Sequence, residues 1–194
     1  MARANTVRSF GGSKPIWLSE FGCRVTDQQR AASSLGLADL YVKILSNPRI
    51  FERAHAFGAA TRLYKYSNSN QTGSISITII GETYQLIREA FQNSIRYASY
   101  VTSPNLEWGS KAVEATACAK GGKMYILAVN KTNKPANFQV KVNGQDSNKM
   151  LVHTAQRFRS LGAFNEINSN NRYMGQRVGN VTLPPYSVNI IREK

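Results

Sequence analysis

Side chains able to attack a carbon atom or carry a proton are few in this chain of 194 residues, which has 11 Asp and Glu, two His and two Cys. One carboxylate is set apart by its context. In "KPIWLSEFGC", residues 14–23, a strand-like apolar run leaves a proline and ends on Glu20, followed at once by Phe21 and Gly22. A carboxylate at the tip of an apolar strand is costly to desolvate, so it has either a basic partner or a chemical task. In the first case Glu20 caps the strand or pairs with an Arg; in the second it is a nucleophile or a proton carrier. His55 and His153 lie far apart with no ligand spacing around them, which argues against a structural metal site. Cys23 and Cys118 can bridge only if the fold brings their Cα atoms within about 7 Å. Glycosylation triplets occur at Asn70, Asn130 and Asn180.

The elements that must position Glu20 are legible as periodicities. The strand Pro15 to Glu20 leads to a helix expected around Asp27 to Leu45, with Leu37, Leu40, Tyr41, Ile44 and Leu45 on one face. "SNPR" at 46–49 closes it, since the residue before Pro48 disfavours helix. "FERAHAFGAA", 51–60, predicts a second strand in which Phe51, Arg53, His55 and Phe57 alternate with small residues. Residues 62–79 predict a loop or hairpin with a polar tip at 67–73. Gly81 then opens a helix over 82–101, with Tyr84, Ile87, Phe91, Ile95 and Ala98 in a three-four stripe. Strand, helix, strand, helix is the order of an α/β arrangement with parallel strands. Beyond about residue 103 the period becomes two. "AVEATACA", "KMYILAVN", "ANFQVKVN", "KMLVHTAQ", "GNVTL" and "YSVNIIRE" are strand candidates divided by turn residues such as "KGGK" at 120–123 and "NKTNKP" at 130–135. Strands at that spacing predict an antiparallel β-sandwich, with Pro184 and Pro185 between its last two strands.

Composition narrows the partners. At 42% hydrophobic the chain can bury a core, and no apolar run approaches the roughly 18 residues of a membrane span. "MARANTVRSF" lacks the apolar block of a signal peptide, so neither an export signal nor a membrane span is expected in this chain. The 25 Lys and Arg give a net charge of +14, which attracts nucleic acid, anionic lipid or acidic polysaccharide. No two basic residues are adjacent, however, and no zinc-ligand spacing, helix-turn-helix or RNA-binding aromatic signature is present. Nucleic acid is therefore not the expected partner.

Taken in order, "KPIWLSEFG", "NPRIFERAHAFGAA" and "ITIIGETYQLIREAF" resemble the seventh strand, eighth strand and closing helix of retaining glycoside hydrolases built on a (β/α)8 barrel. "VEATACAKGGKMYILAVNKTNKPANFQVKV" and "VTLPPYSVNII" resemble the β-sandwich that trails the barrel in α-L-arabinofuranosidases and agarase-like enzymes. The resemblance spans residues 14–192 and rests on the order and spacing of these stretches more than on any one of them.

That resemblance implies an α/β plus all-β chain. Residues 1–104 would be the C-terminal portion of a (β/α)8 barrel, its last two β/α units, and 105–194 an antiparallel β-sandwich. It also implies that Glu20 is the nucleophile of a double-displacement hydrolysis, a reaction that needs no cofactor and no metal. Trp17 and Phe21 are candidates for stacking on a sugar, although the mid-strand place of Trp17 favours the core. His55 is a candidate for a hydrogen bond to a sugar hydroxyl or to the nucleophile, with plain packing as its alternative. Tyr64 and Tyr66, expected on the loop after the second strand, are candidates for substrate contact, with a plain hairpin surface as the equal alternative. Arg53 and Arg62 would suit an acidic substrate. The family's acid/base follows an Asn at another strand end, and the Asn165-Glu166 pair here falls in a polar loop of the wrong half. Glu52 starts the second strand, Glu82 and Glu89 belong to the closing helix, and Asp146 is in the sandwich half. A whole barrel takes about 250 residues. The expectation is therefore a part of a glycosidase, inactive alone, whose acid/base and remaining strands come from a preceding segment or a second chain, with a secreted or extracytoplasmic parent. The alternative is a non-catalytic carbohydrate- or polyanion-binding assembly protein on the same scaffold.

Overall fold

A computed structural model describes residues 14–21, 31–56, 64–66, 75–162 and 172–194. The start of the first helix before residue 31, the end of the second strand after residue 56, the tip at 67–73, and Cys23, Arg62, Asn70 and Asn165-Glu166 lie outside them. The first part contains β1 (Ile16–Phe21), α1 (Ala31–Leu45), β2 (Phe51–Ala56), β3 (Tyr64–Tyr66), β4 (Ile75–Ile77), α2 (Ile79–Phe91) and β5 (Ile95–Tyr97). A 3-10 turn at Glu107–Gly109 precedes β6 (Val113–Lys120), β7 (Lys123–Asn130), β8 (Ala136–Gln139), β9 (Lys141–Val142) and β10 (Gln145–Asp146). The chain closes with β11 (Met150–Arg157), β12 (Arg172–Val178), β13 (Asn180–Leu183) and β14 (Ser187–Glu193).

The described residues are mostly antiparallel sheet with two α-helices. Six strands in the order β12-β11-β14-β7-β6-β5 form the main sheet, every pair antiparallel. Alternation then sorts its side chains. Cys118, Leu127, Val129, Val188 and Ile190 face one way and pack with Leu35, Val42, Leu86 and Ile87 of the two helices. Val113, Ala115, Ile126, Ala128, Leu151 and Ile191 face the other way and pack with Val140, Val181 and Leu183 beside the antiparallel β8–β13 pair. Two left-handed glycines, Gly121 at φ 58° and Gly122 at φ 74°, make the two-residue turn that registers β6 on β7. β1 and β2 run parallel, as strand-helix-strand order requires, with α1 as the crossover between them.

Local chemistry fixes the helix ends. Thr78 is the N-cap of α2, its Oγ1 accepting from the Gly81 N–H at 3.0 Å, so the helix starts at Ile79, two residues before the Gly81 that the sequence suggests. The helix stops at Phe91 because Gln92 caps it through its N–H to the Arg88 carbonyl and Asn93 turns left-handed at φ 57°. The predicted continuation to residue 101 is thereby corrected. Ile95, expected on the helix stripe, is 73% exposed in β5, whose pairing with β6 outweighs the helical period. The strand β12 also goes beyond the sequence reading, its polar "RYMGQRV" lacking the alternation that marks a half-buried strand. Residues 64–66 and 75–77 pair as the two arms of the expected hairpin.

Candidate functional site

Glu20 is the last residue but one of β1, and the register with β2 brings Phe21 level with Ala56. Glu20, Phe21 and His55 therefore share the C-terminal end of a parallel strand pair. Parallel sheets bind ligands outside the carboxyl ends of their strands, where backbone groups are still unpaired. The pairing is not regular. From Leu18 to Phe21 β1 spends three steps against two on β2, and from Ile16 to Trp17 the extra residue lies on β2. Such bulges break the two-residue alternation and re-aim side chains, a feature concentrated next to active sites. Ile16 and Leu18 pack against the helical core, so the pair is anchored on one face.

Trp17 is not in the core. It is 61% exposed, and its indole Nε1–H donates to Glu52 Oε2 at 2.8 Å. The extra residue on β2 is Glu52 itself, which the bulge sets beside Trp17. The mid-strand expectation fails because the face opposite Ile16 and Leu18 carries no packing layer among the described residues. Arg53 pairs in register with Trp17. Tyr64 and Tyr66 are strand residues of β3, opposite Ile77 and Ile75, which is the hairpin rather than the loop of the two placements expected for them. The β3–β4 pair is a sheet separate from β1–β2, so these two tyrosines are not brought into register with Glu20.

A double displacement needs a second carboxyl group roughly 5 to 5.5 Å from the first. Glu52 is the other acid on the pair, but it lies beside Ile16 and Trp17, about three residues before Glu20, or roughly 10 Å of strand. Glu82 and Glu89 are in α2 as expected. Asp39 is committed to Lys43 at 2.5 Å and to Lys131 at 2.8 Å, tying α1 to the main sheet. Asp146 pairs with Lys141 at 3.4 Å in the β9–β10 hairpin. Among the described residues no three His, Cys, Asp or Glu side chains gather to hold a metal ion. No described helix is long and apolar enough to cross a membrane.

Buried polar groups elsewhere are structural. His153 is 4% exposed with its Nε2 2.9 Å from Asn189 Oδ1. Burial lowers its pKa, against a smaller opposing effect of the Asn189 contact. The Cys118 thiol is buried and unbridged, and burial raises its pKa. Tyr41 is raised by burial and then by Tyr84, whose ring centroid is 6.2 Å away between α1 and α2. Asn130 is fully buried with its amide bonded to backbone, so that glycosylation triplet is no acceptor site.

No family model matches the chain, and no curated protein matches it in sequence. Solved structures do match in shape. A family 51 α-L-arabinofuranosidase from Bifidobacterium longum superimposes with TM-score 0.74 at 13% identity, covering 98% of this chain and 45% of that one. The thermostable family 51 α-L-arabinofuranosidase from Thermotoga petrophila gives 0.73 at 16% identity, covering 100% and 47%. A family 30 subfamily 8 xylanase from Clostridium acetobutylicum gives 0.60 at 20% identity, covering 95% and 43%. The fold is thus glycoside-hydrolase-like, and the chain spans under half the length of the proteins it resembles.

Proposed function

We propose that this chain is the C-terminal part of a retaining glycoside hydrolase, with Glu20 as nucleophile and the acid/base and remaining barrel strands supplied by sequence outside it. In this reading residues 1–104 carry the last two β/α units of the barrel and 105–194 its trailing β-sandwich. The observation that carries the reading is the position of Glu20 at the carboxyl end of a strand paired in parallel with β2, within a fold like that of several glycosidases. An arabinofuranoside is the first substrate to test, on the likeness to proteins named for that sugar. Phe21 and His55, at the same end of the pair, are the next residues to contact it. Trp17, exposed and held by Glu52 of β2, lies three residues before Glu20 on β1. A polymer substrate of this kind is met outside the cell, which puts the parent enzyme there.

The chemistry proceeds in two steps. The Glu20 carboxylate attacks the anomeric carbon as the acid/base protonates the leaving oxygen, and water then hydrolyses the glycosyl ester with the same group acting as base. A 2-deoxy-2-fluoro arabinofuranoside with a good leaving group, added to the full parent polypeptide, should leave its mass on the peptide holding Glu20. Glu20→Gln should abolish that adduct. A stable adduct on another carboxylate would overturn the assignment of Glu20, and turnover with inversion of the anomeric centre would overturn the retaining mechanism.

A further inference from the structure

The main sheet carries an accumulation of positive charge that the glycosidase reading does not use. Lys120, the last residue of β6, pairs directly with Lys123, the first of β7. On the neighbouring strand Arg192 of β14 pairs with Tyr125, and Lys194 follows it, its N–H bonded to the Met150 carbonyl of β11. Alternation places Lys120 on the side of Cys118, Lys123 on the side of Tyr125, and Arg192 and Lys194 on the side of Ile190, all on the helix-bearing face. Lys120 donates to the Glu89 carbonyl in the last turn of α2, which anchors it there. Lys123 and Lys194 are exposed. Like charges opposed across strands destabilise a sheet. The acids nearby are Glu89 on α2 and Glu193, whose carboxylate is bound to Lys149 at 2.9 Å and is also attracted, more weakly, by the Lys123 charge.

We propose that this basic row is a binding site for an anionic polysaccharide, such as a uronate-bearing glycan, apart from the Glu20 end of the β1–β2 pair. Lys120, Lys123 and Lys194 stand one to a strand, at the ends of β6, β7 and β14, with Arg192 a second cation on β14. The spacing from strand to strand is about 4.8 Å, close to the advance per residue of an extended glycan, so successive carboxylates meet successive strands. Single-stranded nucleic acid also needs exposed rings on which bases stack. The aromatic side chain in the row, Tyr125, is half-buried against the helical core instead. The site recruits polymer without chemistry, and nothing in it depends on Glu20 being a nucleophile.

Binding of the full chain to polygalacturonate in about 50 mM NaCl tests this, because charge-driven binding is strongest at low salt. Arabinan serves as the neutral glycan and single-stranded DNA as the competing polyanion. Converting Lys120, Lys123 and Lys194 to Gln should weaken polygalacturonate binding by at least about tenfold and flatten its salt dependence. Converting Lys14, Lys134 and Lys141 to Gln removes the same charge elsewhere and should change affinity less than about threefold. Equal losses in the two triple variants would mean diffuse net charge and would overturn the site. Tighter binding to DNA, lost in the same first variant, would overturn the glycan assignment. Since no turnover is read, either result leaves the test of Glu20 untouched.

Discussion

Asn130 offers the sharpest test of how the sheet unit is held together. Its side chain is fully buried at the end of β7 and joins three segments. Nδ2–H groups donate to the Lys134 carbonyl at 2.8 Å and the Pro184 carbonyl at 2.8 Å, while Oδ1 accepts from the Thr132 N–H at 3.0 Å and the Thr132 hydroxyl at 2.8 Å. The turn at 131–135 and the proline corner before β14 thus share one amide. Asn130→Ala removes these bonds and takes away the acceptor of the Thr132 N–H, while the Pro184 carbonyl keeps the Ser187 hydroxyl at 2.6 Å and the Lys134 carbonyl keeps the Thr132 hydroxyl at 3.0 Å. Each net bond contributes about 1 kcal/mol, and each stranded buried group costs about 1 to 3 kcal/mol. Some groups will find water, so the expected total is about 2 to 4 kcal/mol. For a chain of this size that lowers the thermal midpoint by about 5 to 15 °C. Asn130→Asp keeps the acceptor but loses both donors and buries a charge, so it should be no better than Ala. Thermal unfolding by circular dichroism, supported by hydrogen exchange at Thr132 and Tyr186, measures both variants. The Tyr186 N–H bonds to the Thr132 carbonyl at 2.8 Å and should lose protection with the turn. A loss under about 1 kcal/mol with unchanged protection at Tyr186 would show that the amide is not the fastener described here.

Two further predictions concern the same sheet. His153 is held neutral by burial, its pKa depressed below 6.5, so the unfolded state takes up a proton that the folded state refuses. Its contribution is complete above about pH 6.5 and is lost as the pH falls below that value toward the folded pKa; His153→Gln should flatten urea-unfolding stability across this window, and an unchanged slope would refute the assignment. Gly179 has φ 68°, and a Cβ there would sit 2.2 Å from the Ser147 carbonyl oxygen at the corner between β12 and β13. Gly179→Ala should cost about 3 kcal/mol or more, whereas Gly121→Ala, also left-handed but with open space around it, should cost only about 1 to 2 kcal/mol. Equal losses measured by chemical denaturation would remove the steric explanation.

The local devices were readable in the sequence because each depends on neighbours along the chain. The glycine pair at 121–122, the proline that closes the first helix, the three-four stripe of Ile87 and Phe91 and the alternation in "KMYILAVN" all act within a few residues. So does the conspicuous acid at the end of an apolar strand, which made Glu20 a candidate at once. What needed the tertiary structure was anything decided across a gap. Ile95 continues a helical stripe on paper, yet an open edge at β6 draws it into a strand, and a capped helix end at Gln92 allows the change. Trp17 is the largest side chain of its strand, yet it lies on the face of β1–β2 over which no described residue packs, with Glu52 set opposite by a bulge, and it is exposed. The polar strand β12 is held by its ladder with β11, which no pattern within "RYMGQRV" announces. The basic row is equally silent in the sequence, where Lys120, Lys123, Arg192 and Lys194 are scattered. Strand pairing assembles it, because hydrogen-bonded ladders place residues about 70 apart within one strand spacing of each other.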